Sequence, residues 1–119
     1  MKYMLILAEA EEDFAERLKD EAAFEAYMAP WMKYTQDLQE AGVLLGGEPL
    51  EQSDKGTCVR VRDGKRLVED GPFIDSKEQL GGFYLIDVPN LDEAIKWAEQ
   101  CPAAKTGVVE VRPLWEIPS

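Results

Sequence analysis

Two segments of this chain are apolar on both faces, and they limit the folds open to it. Tyr3-Met4-Leu5-Ile6-Leu7-Ala8 and Phe83-Tyr84-Leu85-Ile86-Asp87-Val88 carry large apolar side chains at odd and even positions alike. A strand with one face in water alternates, because successive side chains point to opposite sides of the sheet. A strand that does not alternate needs cover above and below. Both segments are therefore expected in the middle of a sheet, with a layer packed on each side.

One covering layer reads as helix. Residues 11–20 place Phe14 and Leu18 one turn apart, and Phe24, Tyr27, Met28, Trp31, Tyr34, Leu38 and Ala41 then recur at spacings of three and four. That stripe suits a helix lying on a sheet. Pro30 lacks an N–H and clashes with the preceding turn, so a kink or break near residue 29 is expected. Gly42 stops the helix as a C′ residue would. A second helix starts at Asn90 or Leu91, with Asn90 as N-cap and Glu93 at the capping-box spacing. Ala94, Ile95, Trp97 and Ala98 form its inner stripe, and Cys101-Pro102 close it.

The remaining elements are extended. Val43-Leu44-Leu45-Gly46-Gly47 reads as a short strand or turn. Thr57 to Arg62 alternates with period two, and Asp63-Gly64 favours the two-residue hairpin turn whose twist matches that of strands. Lys65 to Glu69 returns as its partner, with Cys58, Val59 and Val61 expected inside and Arg60 and Arg62 facing away. Val108 to Arg112 is the last strand, ended by Pro113.

This order predicts an α+β fold: a ferredoxin-like antiparallel sheet with two helical regions on one face, in a single domain over residues 1–119. The other face would expose several hundred Å² of contiguous apolar surface, more than a monomer usually shows. The chain has no second sheet to cover it. A homodimer packing sheet against sheet is the economical answer.

Charge narrows the partners. Twenty-four acids against 13 bases give a net charge of −11, which repels phosphate backbones and argues against nucleic acid. Arg60, Arg62, Lys65 and Arg66 cluster around the hairpin without interleaved aromatics. They balance neighbouring acids or line a pocket for a small anion. No apolar run is long enough for a membrane span and no leader pattern opens the chain, so the expected address is the cytoplasm. With no histidine, and Cys58 and Cys101 far apart, no metal or other cofactor is expected and both thiols are expected to be reduced. Nucleotide-binding glycine motifs and nucleophile elbows are absent as well.

The stretch from Asp70 to Phe83, DGPFIDSKEQLGGF, is a rigidly punctuated connection carrying acids and a lysine. With the continuation YLIDV, and with LDEAIKWAEQCP, VVEVRP, KYMLIL and LQEAGVLLGGEPL, it closely resembles the DGPF branch of the YCII-related family. The motifs stand in the right order over nearly the whole chain. The resemblance implies a dimeric α+β barrel. Many members of the wider family are discussed as enzymes because of a histidine–aspartate pair, and Trp31 falls about where that histidine lies, so that proton transfer is not carried over.

Other groups must then do any chemistry. Asp70, Lys77 and Glu78 are the candidate catalytic residues, since a carboxylate beside an apolar wall can serve as a base and a lysine can hold an oxyanion. Arg112, Asp75, Trp31 and Tyr84 are the candidate ligand-binding residues, as anion anchor, polar contact and aromatic walls. Asp70 before Gly-Pro also reads as a turn anchor, and Glu110 with Arg112 as an ion pair on one strand face. Two functions fit: an enzyme using acid–base chemistry on a small polar or anionic molecule, or a non-catalytic dimeric ligand-binding or interaction module. For the second, the resemblance implies a link to sigma-factor signalling.

Overall fold

The first apolar segment becomes β1 (Lys2–Ala10), the inner strand of a four-stranded sheet. β5 (Glu78–Asp87) and β6 (Val108–Pro113) flank it, and β2 (Leu44–Pro49) completes the order β2-β5-β1-β6, every neighbour antiparallel. The computed structural model describes residues 1–73 and 77–118; Asp75 and the side chain of Phe14 lie outside the described residues. Tyr3, Leu5, Leu7 and Glu9 of β1 point into the core, while Met4, Ile6 and Ala8 between them are half-buried on the opposite face.

The helical layer covers the first of these faces. Tyr34 and Leu38 of α2 (Glu21–Glu40) and Ala94 and Ala98 of α3 (Leu91–Gln100) join Tyr3, Leu5, Leu7 and Ile86 in one cluster. The short helices α1 (Glu11–Arg17) and α4 (Ala103–Thr106) complete the layer. Leu5 and Leu38 are fully buried, so truncating either to Ala is expected to cost about 2–5 kcal/mol. No helix among the described residues is long and apolar enough to cross a membrane.

Helix ends follow the local chemistry. The Asn90 side chain accepts a hydrogen bond from the Glu93 amide at 3.0 Å, and Asp20 caps α2 through the Ala23 amide at 2.8 Å. α2 ends at Gly42, whose φ of +72° admits the bonds Gly42 N–H to Gln39 and Val43 N–H to Leu38, the paired arrangement of a Schellman ending. Of the kink or break expected near residue 29, the break does not occur: α2 runs through Pro30. Proline in a helix interior costs about 3 kcal/mol, and the stripe of Tyr27, Trp31, Tyr34 and Leu38 facing the sheet outweighs it.

The strands add one refinement and two departures. The segment expected as a short strand or turn at Val43–Gly47 is a strand from Leu44 that runs on to Pro49, β2, with a register break between Leu44 and Gly46. β5 begins at Glu78, before the glycine pair, and the pair sits at a bulge: Gly82 lies opposite Leu7, and Leu80 lies opposite Ala8. The extra residue reverses the inward parity, so Gln79 is buried opposite Glu9. Finally, β3 (Thr57–Arg62) and β4 (Lys65–Asp70) form a separate two-stranded arm around an Asp63-Gly64 turn with both φ positive. Val59 and Val61 are 60% and 62% exposed rather than buried. The arm stands off the main sheet, so its Val59-Val61 face is uncovered. Cys58 and Arg60 are the half-buried positions, the thiol donating to the Gly71 carbonyl and the guanidinium lying 5.7 Å from the Phe73 ring centre.

The molecule is thin and spread, measuring 49 × 48 × 19 Å with a radius of gyration of 16.3 Å. A compact chain of this length has a radius near about 13.5 Å. The exposed area is 8555 Å², against about 6,500 Å² for a folded monomer of this mass.

Two substitutions test the helix account. Pro30→Ala is expected to stabilise the fold by about 1–3 kcal/mol, and Asn90→Ala to destabilise it by about 1 kcal/mol. Urea unfolding measures both; a loss of stability in Pro30→Ala would show that the ring itself is needed for packing.

Candidate functional site

The inward row of β1 ends on a charge. Tyr3, Leu5 and Leu7 are followed in phase by Glu9, which is only 5% exposed. A buried carboxylate needs hydrogen-bond donors. Tyr27 of α2 supplies one, its hydroxyl donating to Glu9 Oε1 at 2.7 Å. Arg17, in the last turn of α1, lies with its guanidinium carbon 5.4 Å from the Tyr27 ring centre. Burial and the adjoining Glu9 carboxylate push the Tyr27 hydroxyl up to about 12, with Arg17 opposing them. Tyr27 therefore stays protonated as a donor to Glu9 at any ordinary pH.

Aromatic side chains extend from this pair along α2. Trp31 lies one turn beyond Tyr27, at 6.3 Å between ring centres, and stacks on Tyr84 of β5 at 6.4 Å and 19° between planes. Tyr84 meets Tyr34 edge to face at 5.5 Å, and its hydroxyl shares a 2.7 Å hydrogen bond with Thr35. Burial raises the Tyr84 hydroxyl too, with the Thr35 bond opposing.

A cleft of about 440 Å³ opens between α2 and the β2–β5 edge of the sheet. Glu9, Arg17, Tyr27, Trp31, Thr35 and Tyr84 are among its walls, with Met28 and Met32 at the helix side. Its floor depends on Gly47: a Cβ there would stand 2.6 Å from the Phe83 carbonyl oxygen, so only glycine lets β2 lie this close. The size falls within the usual range for small-molecule sites. A second cleft of about 450 Å³ lies between α2 and α4, where Lys33, Tyr34, Gln100 and Lys105 are among the lining residues. Glu9, Tyr27 and Trp31 line both clefts and separate them. Chemically the first cleft offers one buried base, one cation and a flat apolar wall. Among the described residues, no group of three or more Cys, Asp or Glu side chains is set to hold a metal ion.

The residues singled out from the sequence divide. Trp31 and Tyr84 are brought together as stacked walls of the first cleft. Asp70 lies exposed at the end of β4 opposite Thr57, Lys77 is exposed just before β5, and Glu78 is exposed opposite Ala10. Arg112 is paired with Glu110 on β6. None of these four lines the cleft, and Asp75 lies outside the described residues. The groups that sequence reasoning missed are Glu9, Arg17 and Tyr27. The available signal was parity: Glu9 continues the odd row of β1, although the acidic run that follows it reads as the end of the strand.

Comparison with known proteins fits this architecture. An uncharacterized protein, R00369, of Rhizobium meliloti (strain 1021) is 41% identical over 98 residues, covering 81% of this chain and 76% of that protein. Among solved structures, 5-chloro-2-hydroxyhydroquinone dehydrochlorinase (TftG) from Burkholderia phenoliruptrix AC1100, in complex with 2,5-dihydroxybenzoquinone, superposes with a TM-score of 0.55. That match is at 18% identity over 98% of this chain and 94% of the other, and it carries the fold alone. Residues 1–118 match the YCII-related domain, and the chain belongs to that family.

Proposed function

We propose that this protein is a small enzyme that removes a proton from a planar, oxygen-bearing small molecule, with Glu9 as general base. The observation that carries the reading is the Glu9 carboxylate, buried at the wall of an aromatic cleft and oriented by the Tyr27 hydroxyl. The substrate ring lies against Trp31 and Tyr84. An activated C–H bond of the substrate breaks, the proton passes to a Glu9 oxygen, and the electron pair is delocalised onto a substrate oxygen as an oxyanion. Arg17 faces that developing charge. The dehydrochlorinase with the similar fold acts on a hydroxylated aromatic ring and removes the elements of HCl from it, which is chemistry of the same class. The acid–base role thus moves from Asp70, Lys77 and Glu78 to Glu9, and no histidine is required.

The working form is a cytoplasmic homodimer. The strand order is ferredoxin-like, with the β3–β4 arm inserted, and the face opposite the helices carries Met4 and Ile6 in register with Leu85 and Phe83. Two copies packed sheet on sheet make a dimeric α+β barrel and cover this face. The exposed area exceeds that of a compact monomer by about 2,000 Å², which suits the interface of an obligate homodimer.

Two measurements test these readings. With 2,5-dihydroxybenzoquinone as probe, calorimetry is expected to show binding that Trp31→Ala weakens at least tenfold. In D₂O, incubation with a panel of hydroxylated aromatics is expected to label one of them with deuterium, and Glu9→Gln to abolish the labelling while retaining binding. Labelling that survives Glu9→Gln removes Glu9 from the chemistry, and binding with no labelling across the panel leaves a ligand-binding module. The Tyr27 hydroxyl adds a pH signature. Its folded value of about 12 lies above its ordinary 10.0, so its contribution to stability is full below pH 10 and is lost as pH rises toward 12. The melting temperature of Tyr27→Phe is therefore expected to fall less over that window than that of the unaltered protein.

A further inference from the structure

The β3–β4 arm is left unexplained by the cleft and by the sheet face. A two-stranded hairpin alone in water is marginally stable at best, yet this one is regular from Thr57 to Asp70. Its base is closed by a 2.8 Å bond from the Gly71 amide to the Gly56 carbonyl. Val59 faces Val68 across the ladder with Val61 two residues along the same side, and these three are 60%, 51% and 62% exposed. The arm is also the electrostatic opposite of the body: four bases and three acids in residues 57–70 leave it at +1 and the rest of the chain at −12, within the total of −11.

We infer that the arm is an intersubunit clasp, its Val59-Val61-Val68 face buried against the acidic body of a second copy of this chain. An apolar strip needs a covering partner, and Arg66, opposite Val61 on this same face, favours an acidic one. A second copy supplies both a large uncovered area and the matching charge. The radius of gyration, 16.3 Å against about 13.5 Å for a compact chain of this length, is that of a chain with parts projecting from its body, which a second copy would cover. The inference rests on the homodimer proposed above but assigns a different surface from the sheet face.

Sedimentation equilibrium over a concentration series, with hydrogen exchange on the same samples, separates the two. For the unaltered protein the expected result is a dimer in which amides of residues 57–70 become more protected as concentration rises. Val59→Asp combined with Val61→Asp is expected to weaken the dimer at least tenfold. Its far-ultraviolet circular dichroism is expected to stay unchanged, because both positions are exposed in the single subunit. Arg66→Glu, on the same face and opposite Val61, is expected to weaken the dimer in the same direction, more at low salt than at high salt. A monomer at every concentration overturns the dimer and the clasp together. A dimer that neither variant weakens, with arm amides unprotected throughout, overturns the clasp and leaves the sheet-face dimer standing.

Discussion

Everything in this molecule depends on β1 being an inner strand with two apolar faces. Its odd residues make the core with α2 and α3, and its even residues make the surface that a single subunit leaves half covered. Both the cleft and the proposed assembly follow from that division. The helical side is closed by side chains of this chain. The other side carries Met4, Ile6, Phe83 and Leu85 in adjoining register, and in water such a row costs about 25 cal/mol for each Å² left exposed.

The site is where the odd row meets its limit. An apolar residue at position 9 would extend the core; a glutamate there places a charge at the core boundary, with Tyr27 to hold it and Arg17 close by. Buried carboxylates of this kind are expensive to keep and are found where a proton is moved or a cation is balanced. The neighbouring stack of Trp31 on Tyr84 gives a flat surface beside that charge. Base, cation and flat wall are separate features of the sequence, and the crossing of α2 over the β5–β1 pair brings them together.

Much of the fold was legible because its signals are local. Asn90 with Glu93, Gly42, and Asp63-Gly64 each determine backbone geometry within a few residues, and each appears where its chemistry requires. Pro30 misled because tertiary packing of the α2 stripe overrides a local penalty. The arm misled because alternation reports two faces without saying whether either is covered. The cleft was legible only in its aromatic walls, Trp31 and Tyr84. Glu9 was hidden by the acids following it, and Gln79 by the bulge at the glycine pair, which switches the inward parity of β5. Both depend on strand register, and register is a property of two strands rather than of either alone.

The three tryptophans allow a direct test of where a ligand sits. Trp31 lines the cleft, Trp97 packs against the core, and Trp115 is 81% exposed near the C-terminus. Nitrogen-15 NMR resolves one indole signal from each. Titration with 2,5-dihydroxybenzoquinone is predicted to move the Trp31 signal progressively and saturably, with Trp97 and Trp115 unmoved. A saturable shift at Trp115 or Trp97 with Trp31 unmoved would contradict the placement of the site in the Glu9 cleft.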